Sequence, residues 1–157
     1  MDRASLLGPR GALEQLAVEQ ARELAGAGAG IGVDIELIAD INIENETFLE
    51  RNFTAGERAY CWGRPNPHAS FAGRWCAKEA VVKAVSSLHL GRPKVWTKGD
   101  AAPLDEIEIT VAPSGAPAVV LHGDAKAACA AAGAEHIRVS ISHIDAFAIA
   151  TAIATAH

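Results

Sequence analysis

The sequence predicts an α+β fold with a mostly antiparallel sheet, on three observations. Apolar, β-branched runs of strand length occur at 31–38, 107–111, 118–121, 136–142 and 146–153. Turn-forming residues at 113–117 and around 143–145 allow two of these connections to be tight, as antiparallel neighbours require. The strongest helical pattern, residues 69–86, stands between the first strand and the rest. Together they favour α+β over an alternating α/β arrangement.

Size and charge limit the function classes. The chain has 157 residues with a formal net charge of −5, which fits one domain and argues against bulk binding to nucleic acid. No apolar run reaches the roughly 18 residues of a membrane span, and charges near the N-terminus argue against a signal peptide. The three cysteines have no metal-ligand spacing. We therefore expect a cytoplasmic protein with reduced thiols.

Besides the helical pattern at 69–86, the sequence predicts a helix, a strand and two further helices. Residues 12–25 favour a helix that gives way to a Gly/Ala-rich linker, so we expect 1–30 to precede a domain over 31–157. An extended 31–38 would place Asp34 and Glu36 on one face. Thr54 and Glu57 form a capping-box pattern that predicts a helix start at Thr54. Residues 123–132 favour a later, Ala-rich helix.

Charged side chains along 69–86 allow two interpretations. Arg74, Lys78 and Lys83 lie within three turns of helix and could form an anion site, but they could equally be solvated cations. Asp34, inside an apolar strand, could cap a turn, pair with a lysine or bind a metal. Glu79 and Lys83 have the spacing of an ordinary helix ion pair. A carboxylate pair beside phosphate-binding cations is what Mg²⁺ bound to a pyrophosphate requires.

Three further patterns argue against a catalytic triad, a zinc site and a dinucleotide-binding fingerprint. Ser142 and His143 are neighbours whose side chains diverge in a strand, so a Ser-His-Asp triad is a poor interpretation. The remaining histidines lack the spacing of a zinc site. The glycines at 26–32 precede a strand, whereas those of a dinucleotide-binding fingerprint follow one.

Several motifs occur together and in order: GVDI at 32–35, RNFTAGE at 51–57, FAGRWCAKEA at 71–80, Lys83, and SISH at 140–143. With these motifs the chain resembles a 4′-phosphopantetheinyl transferase of the holo-acyl-carrier-protein synthase family, over about residues 30–155. The run at 67–75 and the hairpin at 107–109 are most similar to transferase domains of, or serving, type I fatty acid synthases. The resemblance implies a sheet packed around one long helix, and a homotrimer with its site between subunits.

The resemblance also implies a reaction: the phosphopantetheine arm of coenzyme A moves to a serine of an apo acyl carrier protein or carrier domain, and 3′,5′-ADP is released. It implies Mg²⁺ on Asp34 and Glu79, with Glu36 a further ligand, and catalytic roles for Asp34, Glu79 and Lys83. The coenzyme A ligands it implies are Tyr60, Ser70, Arg74, Lys78, Lys83, Ser142 and His143. The alternative is a non-catalytic coenzyme A-binding or assembly module of a fatty acid synthase.

Overall fold

The fold is α+β, as predicted, with one long helix covering a three-stranded sheet. The computed structural model describes residues 15–16, 19–20, 28–88, 94–96 and 101–156. In chain order the elements are β1 (Ala29–Leu37), α1 (Glu46–Asn52), α2 (Ala55–Trp62), α3 (Pro67–Ser87), β2 (Ile107–Val111), β3 (Pro117–Leu121), α4 (Gly123–Ala131), β4 (His136–His143) and β5 (Phe147–Thr155).

The strands form two sheets, where the sequence predicted one. β1, β5 and β4 pair in that order, both pairs antiparallel, and β2 and β3 form a separate antiparallel hairpin. The sequence pattern predicts which two strands form a hairpin, but it does not predict whether a strand of one hairpin pairs with a strand of another. The long antiparallel pairing of β1 with β5 brings the first described strand beside the last.

Helix α3 begins where the sequence changes from breakers to small apolar residues. Asn66 caps it by accepting a hydrogen bond from the Ala69 amide, and Pro67 occupies its first position, where no amide donor is needed. The helix lies against β1 and β5 with almost no space between backbones. A Cβ on Gly32 would come within 2.0 Å of the Ala80 carbonyl oxygen, and one on Gly30 within 2.1 Å of that of Ala84.

The core has a small-residue seam and an aromatic cluster. On β5, every second residue is a buried alanine facing α3: Ala148, Ala150, Ala152 and Ala154. This part of the core therefore consists of closely packed small side chains. Beside it, Phe53 and Phe71 meet edge to face at 5.1 Å between ring centroids, and Trp62 packs on Phe71 at 5.3 Å. The second cluster fixes α1 and α2 against the N-terminal half of α3.

One predicted element is only partly described. Of the helix predicted over 12–25, residues 15–16 and 19–20 are described and are helical. Among the helices that the structure describes, none is both long enough and apolar enough to cross a membrane.

Candidate functional site

A group of charged side chains lies where β1 meets the C-terminal half of α3. The alternation of β1 turns Asp34 and Glu36 towards the helix, as the sequence predicted, while Val33 and Ile35 point outwards. Asp34 is 9% exposed. Its Oδ1 accepts a hydrogen bond from Lys83 Nζ at 2.8 Å, and the same nitrogen donates to the Val33 carbonyl at 2.9 Å. Oδ2 is buried and has no hydrogen-bond partner among the described residues.

Glu79 and Cys76, on α3, share this environment. Burial raises the pKa of the Glu79 carboxyl, the negative charges of Asp34 and Glu36 raise it further, and Lys83 opposes them. Burial, and then the Asp34 charge, raise the pKa of the Cys76 thiol to about 12, so this cysteine stays neutral. The three carboxylates therefore repel one another in a partly dry space, which is the electrostatic setting that a bound cation would stabilise.

A cavity of about 340 Å³ opens beside the N-terminal half of α3. Its lining includes four predicted coenzyme A ligands: Tyr60, Ser70, Arg74 and His143. The Arg74 guanidinium carbon lies 4.0 Å from the Tyr60 ring centroid, and Nη1 donates to Ser70 Oγ at 3.2 Å. Arg74 is only 7% exposed, and its Nε is buried without a partner among the described residues. The cavity thus combines a cation, an aromatic face and hydroxyl groups.

The register of the sheet connects the charged group with the cavity. Glu36 lies opposite Ala148, and Ala148 lies opposite His143, so one row crosses β1, β5 and β4. The next row contains Asp34, Ala150 and Ile141. The backbones of β1 and β4 are two strand spacings, about 10 Å, apart. The charged group and the cavity wall that His143 and Ile141 form therefore lie on the same face of the sheet, two strands apart.

A family model described as the 4′-phosphopantetheinyl transferase superfamily matches residues 30–152, a range that contains both the charged group and the cavity. The chain belongs to this superfamily. Among curated relatives, the chain is 51% identical over 131 residues to the fatty acid synthase subunit alpha of Schizosaccharomyces pombe, covering 83% of this chain and 7% of the relative. It is 50% identical over 125 residues to the same subunit of Saccharomyces cerevisiae, covering 80% and 6%. The chain thus spans less than a tenth of these relatives.

Solved structures with the same fold are holo-acyl-carrier-protein synthases. The ACPS–CoA complex of Chronobacterium ammoniagenes matches with a TM-score of 0.71 at 30% identity, covering 81% of this chain and 96% of that one. The Helicobacter pylori holo-[acyl-carrier-protein] synthase in complex with coenzyme A matches with a TM-score of 0.62 at 29% identity, covering 80% and 99%. The chain therefore shares its fold with holo-acyl-carrier-protein synthases.

Lys78, predicted from the resemblance to bind coenzyme A, lies apart from the other predicted ligands. Its side chain is 0% exposed, and Nζ donates to Glu57 Oε2 at 2.7 Å and to the Leu104 carbonyl at 2.8 Å. Burial lowers the pKa of the Lys78 ammonium, and the Glu57 charge opposes that shift. The structure therefore places Lys78 in a buried ion pair and does not bring it to the cavity, and its role towards coenzyme A stays a prediction.

Ser142 is separated from the cavity by strand alternation. It is exposed, on the sheet face opposite to α3, whereas its neighbour His143 lines the cavity. The structure therefore brings His143, but not Ser142, to the other predicted ligands. The opposite directions agree with the sequence argument against a Ser-His-Asp triad.

The sequence analysis missed Arg64, Asn66 and the wider role of Glu57. Arg64 and Asn66 line the cavity, and the Arg64 guanidinium carbon lies 5.5 Å from the Tyr60 ring centroid. The i,i+4 spacing of Tyr60 and Arg64 was the sequence feature that could have indicated this contact.

The capping box at Thr54 is confirmed. Glu57 additionally accepts from Lys78 and from the Ile109 amide, contacts that no local pattern reveals.

The metal assignment to Asp34, Glu36 and Glu79 stays a prediction. Among the described residues, no three His, Cys, Asp or Glu side chains are arranged to hold a metal ion. The residues nevertheless fit a hard cation held in part by ligand phosphates. Asp34 Oδ2 is a buried carboxylate oxygen without a partner, and Asp34 and Glu79 repel one another across the same space.

Proposed function

We propose that this chain transfers the 4′-phosphopantetheine group of coenzyme A to a serine of an apo acyl carrier protein, or of a carrier domain, and releases 3′,5′-ADP. One observation carries the proposal: within the range that matches the transferase family, Asp34, Glu79 and Lys83 lie together, and the cavity with Arg74 and His143 is two strands away on the same face of the sheet. We assign the activity to a domain over residues 31–157.

The cavity is our proposed site for the nucleotide end of coenzyme A. Tyr60 offers an aromatic face, and Arg74, held beneath it, offers an unpaired Nε–H in a low-dielectric setting. Ser70 and His143 add polar groups at the rim. This arrangement would orient the pyrophosphate towards β1, and phosphoryl transfer depends mainly on such positioning.

At the charged group, we propose that Lys83 donates to phosphate oxygens and stabilises charge on the leaving 3′,5′-ADP. Glu79, directly or through a water molecule, accepts the proton of the carrier serine. In the absence of metal, burial and the neighbouring carboxylates raise the pKa of Glu79, which favours proton acceptance. A divalent cation on the same carboxylates would oppose this shift, so metal binding and the base role compete for Glu79. Asp34 holds its position between β1 and α3 and keeps the local charge negative.

We propose that Asp34, Glu79 and Glu36 hold Mg²⁺ in the loaded enzyme. When bound, Mg²⁺ would neutralise the pyrophosphate charge. The support from this chain is chemical: the ligands are hard carboxylate oxygens, one of them buried and unpartnered.

We further propose a homotrimer and a cytoplasmic location. The support for assembly is the outer face of the three-stranded sheet, where seven large apolar side chains are exposed: Ile31, Val33, Ile35, Leu37, Phe147, Ile149 and Ile153. Continuous apolar surface of this kind marks interaction sites.

The support for a reducing compartment is three free, buried cysteines, Cys61, Cys76 and Cys129. The similarity to fatty acid synthase subunits supports a carrier domain of such a synthase as the acceptor.

The test is the mass of the acceptor. Apo carrier incubated with the protein, coenzyme A and Mg²⁺ should gain about 340 Da, the mass of the transferred group. Glu79→Gln has nearly the same shape without the acidic group and should abolish the gain, while unfolding of the ligand-free variant shows that it still folds. An unchanged carrier mass with wild-type protein, despite coenzyme A binding, would support the non-catalytic binding module instead.

A further inference from the structure

In this structure a lysine ammonium takes up one oxygen of the proposed metal ligand Asp34. Lys83 Nζ contacts Asp34 Oδ1 at 2.8 Å and the Val33 carbonyl at 2.9 Å. The other oxygen, Oδ2, is buried and unpartnered among the described residues. Asp34 therefore carries one satisfied oxygen and one that still requires a positive charge or a donor.

Lys83 has freedom to leave this position. Its side chain is 50% exposed, whereas the Asp34 side chain is 11% exposed. An exposed lysine pays little packing energy when its stem rotates, and solvent screens its ion pair. Lys78, five residues earlier on the same helix, is the contrast, because it is 0% exposed and bonded to buried Glu57.

We propose that Lys83 is an exchangeable counterion: in the ligand-free protein it neutralises Asp34, and it moves to a phosphate oxygen when a divalent cation and a pyrophosphate group enter together. The inference rests on the proposed function and adds a conformational step to it. Lys83 on Oδ1 and a divalent cation on Oδ2 would share one carboxylate. The two positive charges repel at this short range, so each weakens the binding of the other to Asp34.

The competition makes free metal binding weak until a phosphate draws Lys83 away. If Lys83 holds Asp34 in about nine of ten ligand-free molecules, the apparent metal affinity is about tenfold below that of the open site. A phosphate that binds Lys83 removes this penalty, so phosphate and metal bind cooperatively.

The experiment measures two affinities in the absence of transfer. With no carrier present, Mn²⁺ binding is followed by electron paramagnetic resonance without and with saturating coenzyme A, which carries the pyrophosphate, and coenzyme A binding without metal is followed by calorimetry. The variants are Lys83→Gln, Lys83→Arg and, as a matched control on exposed α4, Lys126→Gln. We expect Lys83→Gln to bind Mn²⁺ about tenfold more tightly in the absence of coenzyme A, and to lose about tenfold of the tightening of Mn²⁺ that coenzyme A produces in the wild type. Lys83→Arg and Lys126→Gln should bind Mn²⁺ like the wild type.

Loss of coupling between the two ligands is the signature of exchange, because removal of a nearby positive charge alone changes both affinities and leaves their coupling intact. If Lys83 only fastens α3 to β1, Lys83→Gln should weaken both ligands, and that result overturns the proposal. Equal coupling in Lys83→Gln and the wild type overturns it as well, even when the wild type modifies the carrier. If Lys83→Gln loses the coupling but the wild type never modifies a carrier, the proposed function is refuted and the exchange stands.

Discussion

At the scale of single residues, Lys78 and Lys83 show how position decides what a lysine does. Lys78 points into the core, where burial lowers its pKa and Glu57 supplies the opposing charge. Lys83 points along β1 to the carboxylates and keeps half of its side chain in solvent. A pattern of basic residues on a helix therefore does not identify the phosphate ligands, because the packing of neighbouring elements selects among them.

Removal of the Lys78 charge should be costly. In Lys78→Met the Glu57 carboxylate, 2% exposed, keeps its backbone donors but loses its counterion. Breaking a buried pair from one side typically costs about 3–5 kcal/mol, and we expect urea unfolding to show a loss of this size. Glu57→Gln/Lys78→Met should be more stable than Lys78→Met alone. A Lys78→Met protein as stable as the wild type would show that the pair is not a structural determinant.

The limits of sequence-based prediction are visible at Glu57 and Asp34. The capping box was predictable because its partners are three residues apart. The same carboxylate also binds Lys78, 21 residues away, and the Ile109 amide, 52 residues away, and these contacts depend on how α2, α3 and β2 pack. For Asp34 the sequence allowed a lysine or a metal as partner, but Lys83, 49 residues away, is identified only by the fold.

At the scale of elements, the pairing of β1 with α3 builds the site. Both elements were predicted within two residues of their observed bounds, but their close approach was not. The feature of the sequence that indicates this close approach is glycine at alternate strand positions, Gly30 and Gly32, opposite a helix rich in alanine. Strand propensity treats such glycines as unfavourable, and only the backbone contact explains them.

Gly32→Ala should separate the two elements. The new Cβ would lie 2.0 Å from the Ala80 carbonyl oxygen and 2.7 Å from the Ala84 nitrogen, and backbone atoms cannot rotate away. Overpacking of this kind costs about 1–3 kcal/mol or more, and carrier modification should fall because Asp34 moves away from Glu79. Chemical unfolding and the carrier-mass assay measure the two effects.

Gly63→Ala is the matched control. Its Cβ would meet only ordinary contacts at 3.5 Å, and its backbone is in the right-handed region. We expect no loss of stability or a small gain, of about 0.4–1 kcal/mol. If Gly32→Ala and Gly63→Ala lose stability and carrier modification equally, the close approach of β1 to α3 is not the cause of these losses.

At the scale of the whole molecule, the three-stranded sheet has two unlike faces. One is covered by α3 and contains the small-residue seam and the carboxylates. The other exposes the seven apolar side chains named above, whereas soluble monomers rarely leave a patch of this kind uncovered. The sequence predicted an apolar strand over 146–153, but the outer face is recognisable only once β1 is known to pair with β5.

The assembly of the chain is testable through this outer face. Ile153→Lys places a charge in the patch, 51% exposed in the single chain, and should shift the protein from a trimer to a monomer in size-exclusion chromatography with light scattering. Val120→Lys, on exposed β3 outside the patch, should leave the oligomer unchanged. A wild type that is monomeric at every concentration would contradict the proposed trimer.

The alternation of β1 has a final consequence for the fidelity of folding. Asp34 and Glu36 belong on one side of this strand and Ile31, Val33 and Ile35 on the other, so a slip of one residue would invert all five. Such a misaligned strand would place isoleucine and valine against α3, where only the hydrogen atoms of Gly30 and Gly32 fit. The close packing of α3 against Gly30 and Gly32 therefore selects one strand register, because a strand shifted by one residue does not fit beneath the helix.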